Sequence, residues 1–89
     1  MLKDAELKII RDVSQRYQVR RVLLFGSSLD ADDNARDIDI AVEGVPPEAF
    51  FEYYGDLMMQ LPRPVDVVDL SSPSKFSELI LRDGVAIYG

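Results

Sequence analysis

Apolar positions along the chain follow two periods, and the changes between them mark the elements. From Asp4, placed to cap a helix, Leu7, Ile10, Val13 and Tyr17 recur at helical spacing to about Tyr17. Lys8, Arg11, Asp12 and Arg16 make the solvated face of that helix. Arg21-Val22-Leu23-Leu24-Phe25 is a continuous apolar run ended by Gly26, which predicts a buried strand. Asp37-Ile38-Asp39-Ile40-Ala41-Val42 alternates with period two, so both aspartates share one face and Ile38, Ile40 and Val42 the other. Pro46-Pro47 opens a second helix, read over about residues 48–61. Pro64-Val65-Asp66-Val67-Val68-Asp69-Leu70 is a further short strand. Ser72 as cap and Pro73 at the first position start a third helix, which Gly84 stops. Val85 to Tyr88 closes the chain as a short edge strand. This order predicts an α+β fold in two layers, a small mixed β-sheet with helices packed mainly on one face.

The second helix is broader in its apolar surface than the others. At 100° per residue, Phe50, Phe51, Tyr53, Tyr54, Leu57, Met58 and Leu61 span roughly 160°, against about 100° for an ordinary surface helix. Met59 lies beyond that arc. Part of Phe51, Tyr54, Met58 or Met59 is therefore a candidate partner surface; the plainer reading is a well-buried helix with exposed aromatics at its flanks.

Composition removes several kinds of chemistry. With 89 residues the chain makes one domain, spanning 1–89. Ten basic and sixteen acidic side chains give a net charge of −6, which disfavours DNA or RNA as substrate. Cysteine and histidine are both absent, excluding disulfides, thiolate zinc sites and any histidine base. No apolar run approaches a membrane span, and the leading helix has mixed charge unlike a signal peptide. A cytoplasmic protein without membrane association is expected.

The candidate chemistry lies where the first two strands meet. Gly26-Ser27 ends one run and, after nine residues, Asp37-Ile38-Asp39 begins the next. Same-face residues on a strand lie about 6.6–6.8 Å apart along the chain, and flexible side chains bring two carboxylates closer. Such a pair suits a shared magnesium or two metals roughly 3.5–4 Å apart. Without a cation, two buried acids would repel each other and raise one another's pKa. Asp66 adds a third acid, inside a strand where valine would be the ordinary choice. An unpaired carboxylate there costs several kcal/mol unless exposed, paired or metal-bound. Asp69, on the opposite face near the strand end, reads as solvated. Asp30-Ala31-Asp32-Asp33-Asn34 begins like a calcium loop, but Ala35 replaces the turn glycine and Ala41 the bidentate glutamate. An acidic, solvated connection is the simpler reading, and it would repel an anionic ligand unless a cation such as magnesium accompanies it.

Taken in order, LLFGSS, DIDIAV, a helix and PVDVVDL resemble the minimal nucleotidyltransferases of the DNA polymerase β superfamily over almost the whole chain. The resemblance implies the polymerase β-like nucleotidyltransferase fold. Gly26, Ser27 and Ser28 would be nucleotide-binding, Gly26 and Ser27 holding the β- and γ-phosphates of a nucleoside triphosphate. Asp37, Asp39 and Asp66 would be the catalytic and metal-binding carboxylates, Asp66 also activating the acceptor hydroxyl. Many relatives continue Gly-Ser with an arginine and a second glycine, where this chain has Ser28-Leu29-Asp30-Ala31. Arg36, in the place of a common serine, is the candidate replacement cation on the other side of the loop. The implied reaction is Mg²⁺-dependent transfer of a nucleoside monophosphate, AMP from ATP, to a protein hydroxyl. The implied partner is a small helical HEPN-domain toxin that the transferase neutralises as antitoxin. Homo- or hetero-association is expected through the 48–61 helix. The alternative class is a binding module with a vestigial site that silences its partner by contact alone.

Overall fold

The computed structural model describes residues 2–29 and 36–89; the acidic 30–34 run weighed above as a calcium loop lies outside them. The elements are α1 (Asp4–Arg16), β1 (Arg21–Leu24), a 3-10 turn (Gly26–Leu29), β2 (Ile38–Glu43), α2 (Pro47–Gln60), β3 (Val65–Asp69), α3 (Lys75–Asp83) and β4 (Val85–Tyr88). The strands form one mixed sheet in the order β3-β2-β1-β4. β1 pairs antiparallel with both β2 and β4. The α2 crossover returns the chain in the same direction, so β2 and β3 pair in parallel. β4 is an edge strand, as its short alternating run implies.

Strand alternation divides the core between the two faces of the sheet. Val22, Leu24, Ile38, Ile40 and Val42 face α1 and α2, meeting Ile10, Val13, Tyr53 and Leu57. Leu23 and Ala41 face the other way and form a smaller cluster with Leu70 and Ile80 of α3. Two helices thus cover one face and the third helix part of the other. Phe76 of α3 packs edge-on against Phe25, with ring centroids 5.8 Å apart, and anchors α3 beside the end of β1. Among the described residues, no helix is long and apolar enough to cross a membrane.

The starts of α1 and α3 differ from the sequence expectation for local reasons. Asp4 is the first residue of α1 and Lys3 its cap; the cap amide is satisfied by Glu6, whose carboxylate accepts it at 3.0 Å. α3 begins two residues later than Ser72 and Pro73 imply. The Ser74 hydroxyl accepts the Ser77 amide at 3.0 Å and is the true cap, while the Ser72 carbonyl accepts the Ser77 hydroxyl at 3.1 Å. Gly84 ends α3 as expected.

Candidate active site

Parallel pairing of β2 with β3 brings the acids together. Asp39 and Asp66 are register partners, each the second residue of its strand, on strands that run about 4.8 Å apart. Two residues further along, Ala41 and Val68 pack under α3, so the aspartates belong to the sheet face that α3 covers only in part. Asp37 directly precedes β2 and is exposed, with Arg36 exposed beside it. Asp39 is half-buried and Asp66 exposed. The expectation of mutually buried acids is therefore corrected. β3 is an edge strand, and Asp37 and Asp66 are both exposed, so water reaches them and limits their repulsion. Asp66 avoids the cost of an unpaired carboxylate by being exposed.

Asp39 is the most constrained of the three. Its amide donates to the Ser28 hydroxyl at 2.7 Å, and its carbonyl accepts the Phe25 amide at 3.2 Å. The turn after β1 is thereby fixed to β2 on both sides of Gly26. Gly26 has φ +61°, and a Cβ built there would lie 2.9 Å from Asp39 Oδ2. Only glycine allows the turn to close on the carboxylate in this way. The 3-10 turn starting at Gly26 carries the Ser27 backbone with it. Ser28 follows within the same turn. It is buried, and its hydroxyl supports the Asp39 backbone from behind.

One contributor escaped the sequence reading. Tyr54 of α2 reaches the edge of β3, where its hydroxyl donates to Asp66 Oδ1 at 3.5 Å, the outer limit of hydrogen bonding. An edge-on contact with Phe50, at 6.2 Å between centroids, orients the Tyr54 ring. Helical spacing marks Tyr54 as amphipathic surface, but it contains no trace of a partner twelve residues later on a strand.

The donor set suits magnesium. Carboxylate oxygens are the hard ligands it prefers, and it is held by one or two of them together with waters and phosphates. Among the described residues, no three acidic groups converge into a closed cation cage. The in-register pair with Asp37 upstream and a side-chain-free Gly26 alongside is instead an open arrangement.

A family profile described as polymerase beta, nucleotidyltransferase matches residues 8–89. The chain belongs to this family. Solved structures agree with that assignment. The nucleotidyltransferase aligns with a chain of the crystallised toxin-antitoxin MntA-HepT at 25% identity and TM-score 0.73, covering 98% of its own length and 73% of that chain. A variant of that pair with two aspartates changed to glutamate gives 29% identity, TM-score 0.72 and coverages of 94% and 72%. No significant match was found among curated protein sequences. The expected minimal nucleotidyltransferase fold is thus the observed one.

Proposed function

We propose that this nucleotidyltransferase is magnesium-dependent and transfers AMP from ATP to a hydroxyl of a partner protein, acting as the antitoxin of a HEPN-type toxin. The observation that carries the reading is the in-register Asp39–Asp66 pair, with Asp37 two residues upstream and Gly26 closed against Asp39. Asp37, Asp39 and Asp66 would hold magnesium, which when bound supplies charge neutralisation for the attacking and leaving oxygens. Asp66, at the exposed strand edge, takes the proton of the acceptor hydroxyl. The acceptor oxygen then bonds to the α-phosphorus in line as the bond to the pyrophosphate oxygen breaks. Backbone amides of the Gly26–Leu29 turn are the donors for the departing phosphates.

The partner reading is supported by the likeness to MntA-HepT, a toxin-antitoxin pair. The two substituted aspartates in its variant are separated by one residue, the spacing of Asp37 and Asp39. The test is transfer from α-labelled ATP with magnesium in a lysate of the native host. Wild type is expected to label one protein band; Asp37→Asn and Asp39→Asn are expected to lower the signal by about 10²–10⁴-fold while remaining folded. Full labelling by both variants would remove these residues from the reaction.

Tyr54→Phe separates support from chemistry. Losing one long hydrogen bond to Asp66 is expected to reduce kcat about three- to tenfold, on the order of 1 kcal/mol, with KM for ATP unchanged. Initial rates at varied ATP check this, and an altered KM with intact kcat would place Tyr54 at the nucleotide instead.

The contact-only reading also has an observation in its favour. Ser28-Leu29 stand where many relatives have an arginine, and the Ser28 hydroxyl is turned inward. If the chain acts as a binding module, the combined loss of Asp37, Asp39 and Asp66 carboxylates leaves neutralisation of the partner intact.

A further inference from the structure

Tyr54 stands where an acceptor of the transfer must stand. Its hydroxyl donates to Oδ1 of Asp66, the carboxylate to which the reading above gives the acceptor proton. At 3.5 Å the contact is long, as hydrogen bonds to a general base often are before substrate is bound. β3 is the edge of the sheet and Asp66 is exposed, so the phenol meets the carboxylate round the rim with no strand between them. The ring is half-buried and met edge-on by Phe50, one helical turn earlier. A phenylalanine would fill the same apolar rim; the hydroxyl is what the site gains.

Neighbouring hydroxyls are engaged elsewhere. Tyr53 is fully buried, its hydroxyl paired with that of Ser14 at 2.8 Å. The Tyr17 hydroxyl donates to Asp56, an α2 carboxylate outside the site. Ser28 is buried and bonded to the Asp39 amide. Of these four and Tyr54, only Tyr54 aims its O–H at a site carboxylate. Asp66 has two oxygens, so Tyr54 on Oδ1 leaves Oδ2 to serve a hydroxyl brought by a partner. A tethered acceptor has an advantage over any foreign one. Holding both reactants in one molecule is worth effective concentrations of up to about 10⁵–10⁸ M when they are well aligned. Without a partner, the nearest acceptor is therefore the chain's own.

We propose that Tyr54 is a self-modification site, nucleotidylated by its own chain when no partner hydroxyl is present. The inference rests on the transferase reading above, with a nucleoside triphosphate as donor. The Tyr54 proton passes to the Asp66 carboxylate, and the Tyr54 oxygen forms a bond to the α-phosphorus. The bond from that phosphorus to the β-phosphate oxygen breaks, and pyrophosphate leaves with the electron pair. The product is a tyrosyl phosphodiester that carries one nucleoside monophosphate at the edge of β3.

Incubation of the purified chain with ATP and magnesium, followed by intact-mass measurement and peptide fragmentation, tests this. Wild type is expected to gain the mass of an AMP group, located on Tyr54. The fraction modified per unit time is expected to stay the same over a wide range of protein concentration, as an intramolecular step requires. Asp39→Asn, which keeps Tyr54, is expected to lose self-labelling by at least about 10²-fold. Tyr54→Phe is expected to gain no AMP at all, while its labelling of a partner in host lysate falls only by the modest factor given above. A wild type that labels a lysate protein yet stays unmodified when alone overturns this proposal and leaves the transferase reading standing. One that labels neither itself nor any lysate protein overturns both. AMP on another residue also overturns the proposal. So does a rate that rises in proportion to protein concentration, which would place Tyr54 in the site of a second copy.

Discussion

Gly26→Ala is expected to lower nucleotidyl transfer by at least about 10²-fold without unfolding the protein. Two independent facts meet at this residue. Its φ of +61° is a conformation that costs an L-residue about 1–2 kcal/mol. Its missing Cβ would also lie 2.9 Å from Asp39 Oδ2, closer than real Cβ contacts. Asp39 cannot move away as a whole, because Ser28 and Phe25 hold its amide and carbonyl. The carboxylate must rotate instead, and its relation to Asp66 is lost. A displacement of about 1 Å at a reacting centre costs on the order of 10²-fold in rate. Initial rates of label transfer, measured beside a thermal melt, separate the two contributions. A melting temperature lowered in line with the strain, together with a wild-type rate, would show that this turn does not position the reaction.

The reason Gly26 matters was only half legible in the chain. Its place between a strand and a period-two acidic run marks a turn, and the alternation of β2 puts Ile38, Ile40 and Val42 in the core as expected, although the strand begins at Ile38 and leaves Asp37 just before it. That Asp39 pairs with Asp66 depends on the parallel return through α2, which no local pattern encodes. The consecutive serines after Gly26 show the same limit. Either is a plausible phosphate contact by composition, whereas the fold turns Ser28 inward to hold the Asp39 amide. Helix starts failed for a related reason: several Ser, Asp and Pro residues compete at each boundary, and the cap is decided by which hydroxyl or carboxylate reaches an amide. The apolar stripe of α1 packs on the core as expected, with Ile10 and Val13 fully buried, but two polar residues are buried beside it. Leu7 and Tyr17 are only partly buried, while Glu6 and Ser14 are inside. Ser14 is explained by its 2.8 Å hydrogen bond to the Tyr53 hydroxyl, and burial pushes that phenol up to about 12. Glu6 is explained by a cation that lies 57 residues away.

That cation is Arg63, and removing it is expected to have the largest effect on stability of any single substitution considered. Arg63 Nε and Nη2 donate to the two oxygens of Glu6 at 2.8 and 2.9 Å, a bidentate pair joining α1 to the loop before β3. The Glu6 side chain is 3% exposed and that of Arg63 20%. Arg63→Met leaves a buried carboxylate that, among the described residues, is supported by the amide and charge of Lys3. Breaking a buried pair in this way costs about 3–5 kcal/mol; the partial exposure of Arg63 argues for the lower end. A small domain has only about 5–15 kcal/mol in total, so Arg63→Met should bring the chain near unfolding at room temperature. The Arg63 hydrogen bonds hold the Glu6 carboxyl below its ordinary 4.5, against the opposing effect of burial. The sign of the pH dependence follows from that direction. The pair's contribution is present above the unfolded pKa and is lost as pH falls through the lower folded value, with the decline starting near 4.5. Urea denaturation from neutral to acid pH should show that decline in wild type and a reduced one in Arg63→Met. The double variant Glu6→Met with Arg63→Met removes both charges and fills the space with apolar atoms. It is expected to recover most of the lost stability, because a buried ion pair replaced as a unit is often neutral or better. Failure of the double variant to recover would mean that the pair is needed to set the angle at which α1 meets β3, and not only to neutralise its own charges.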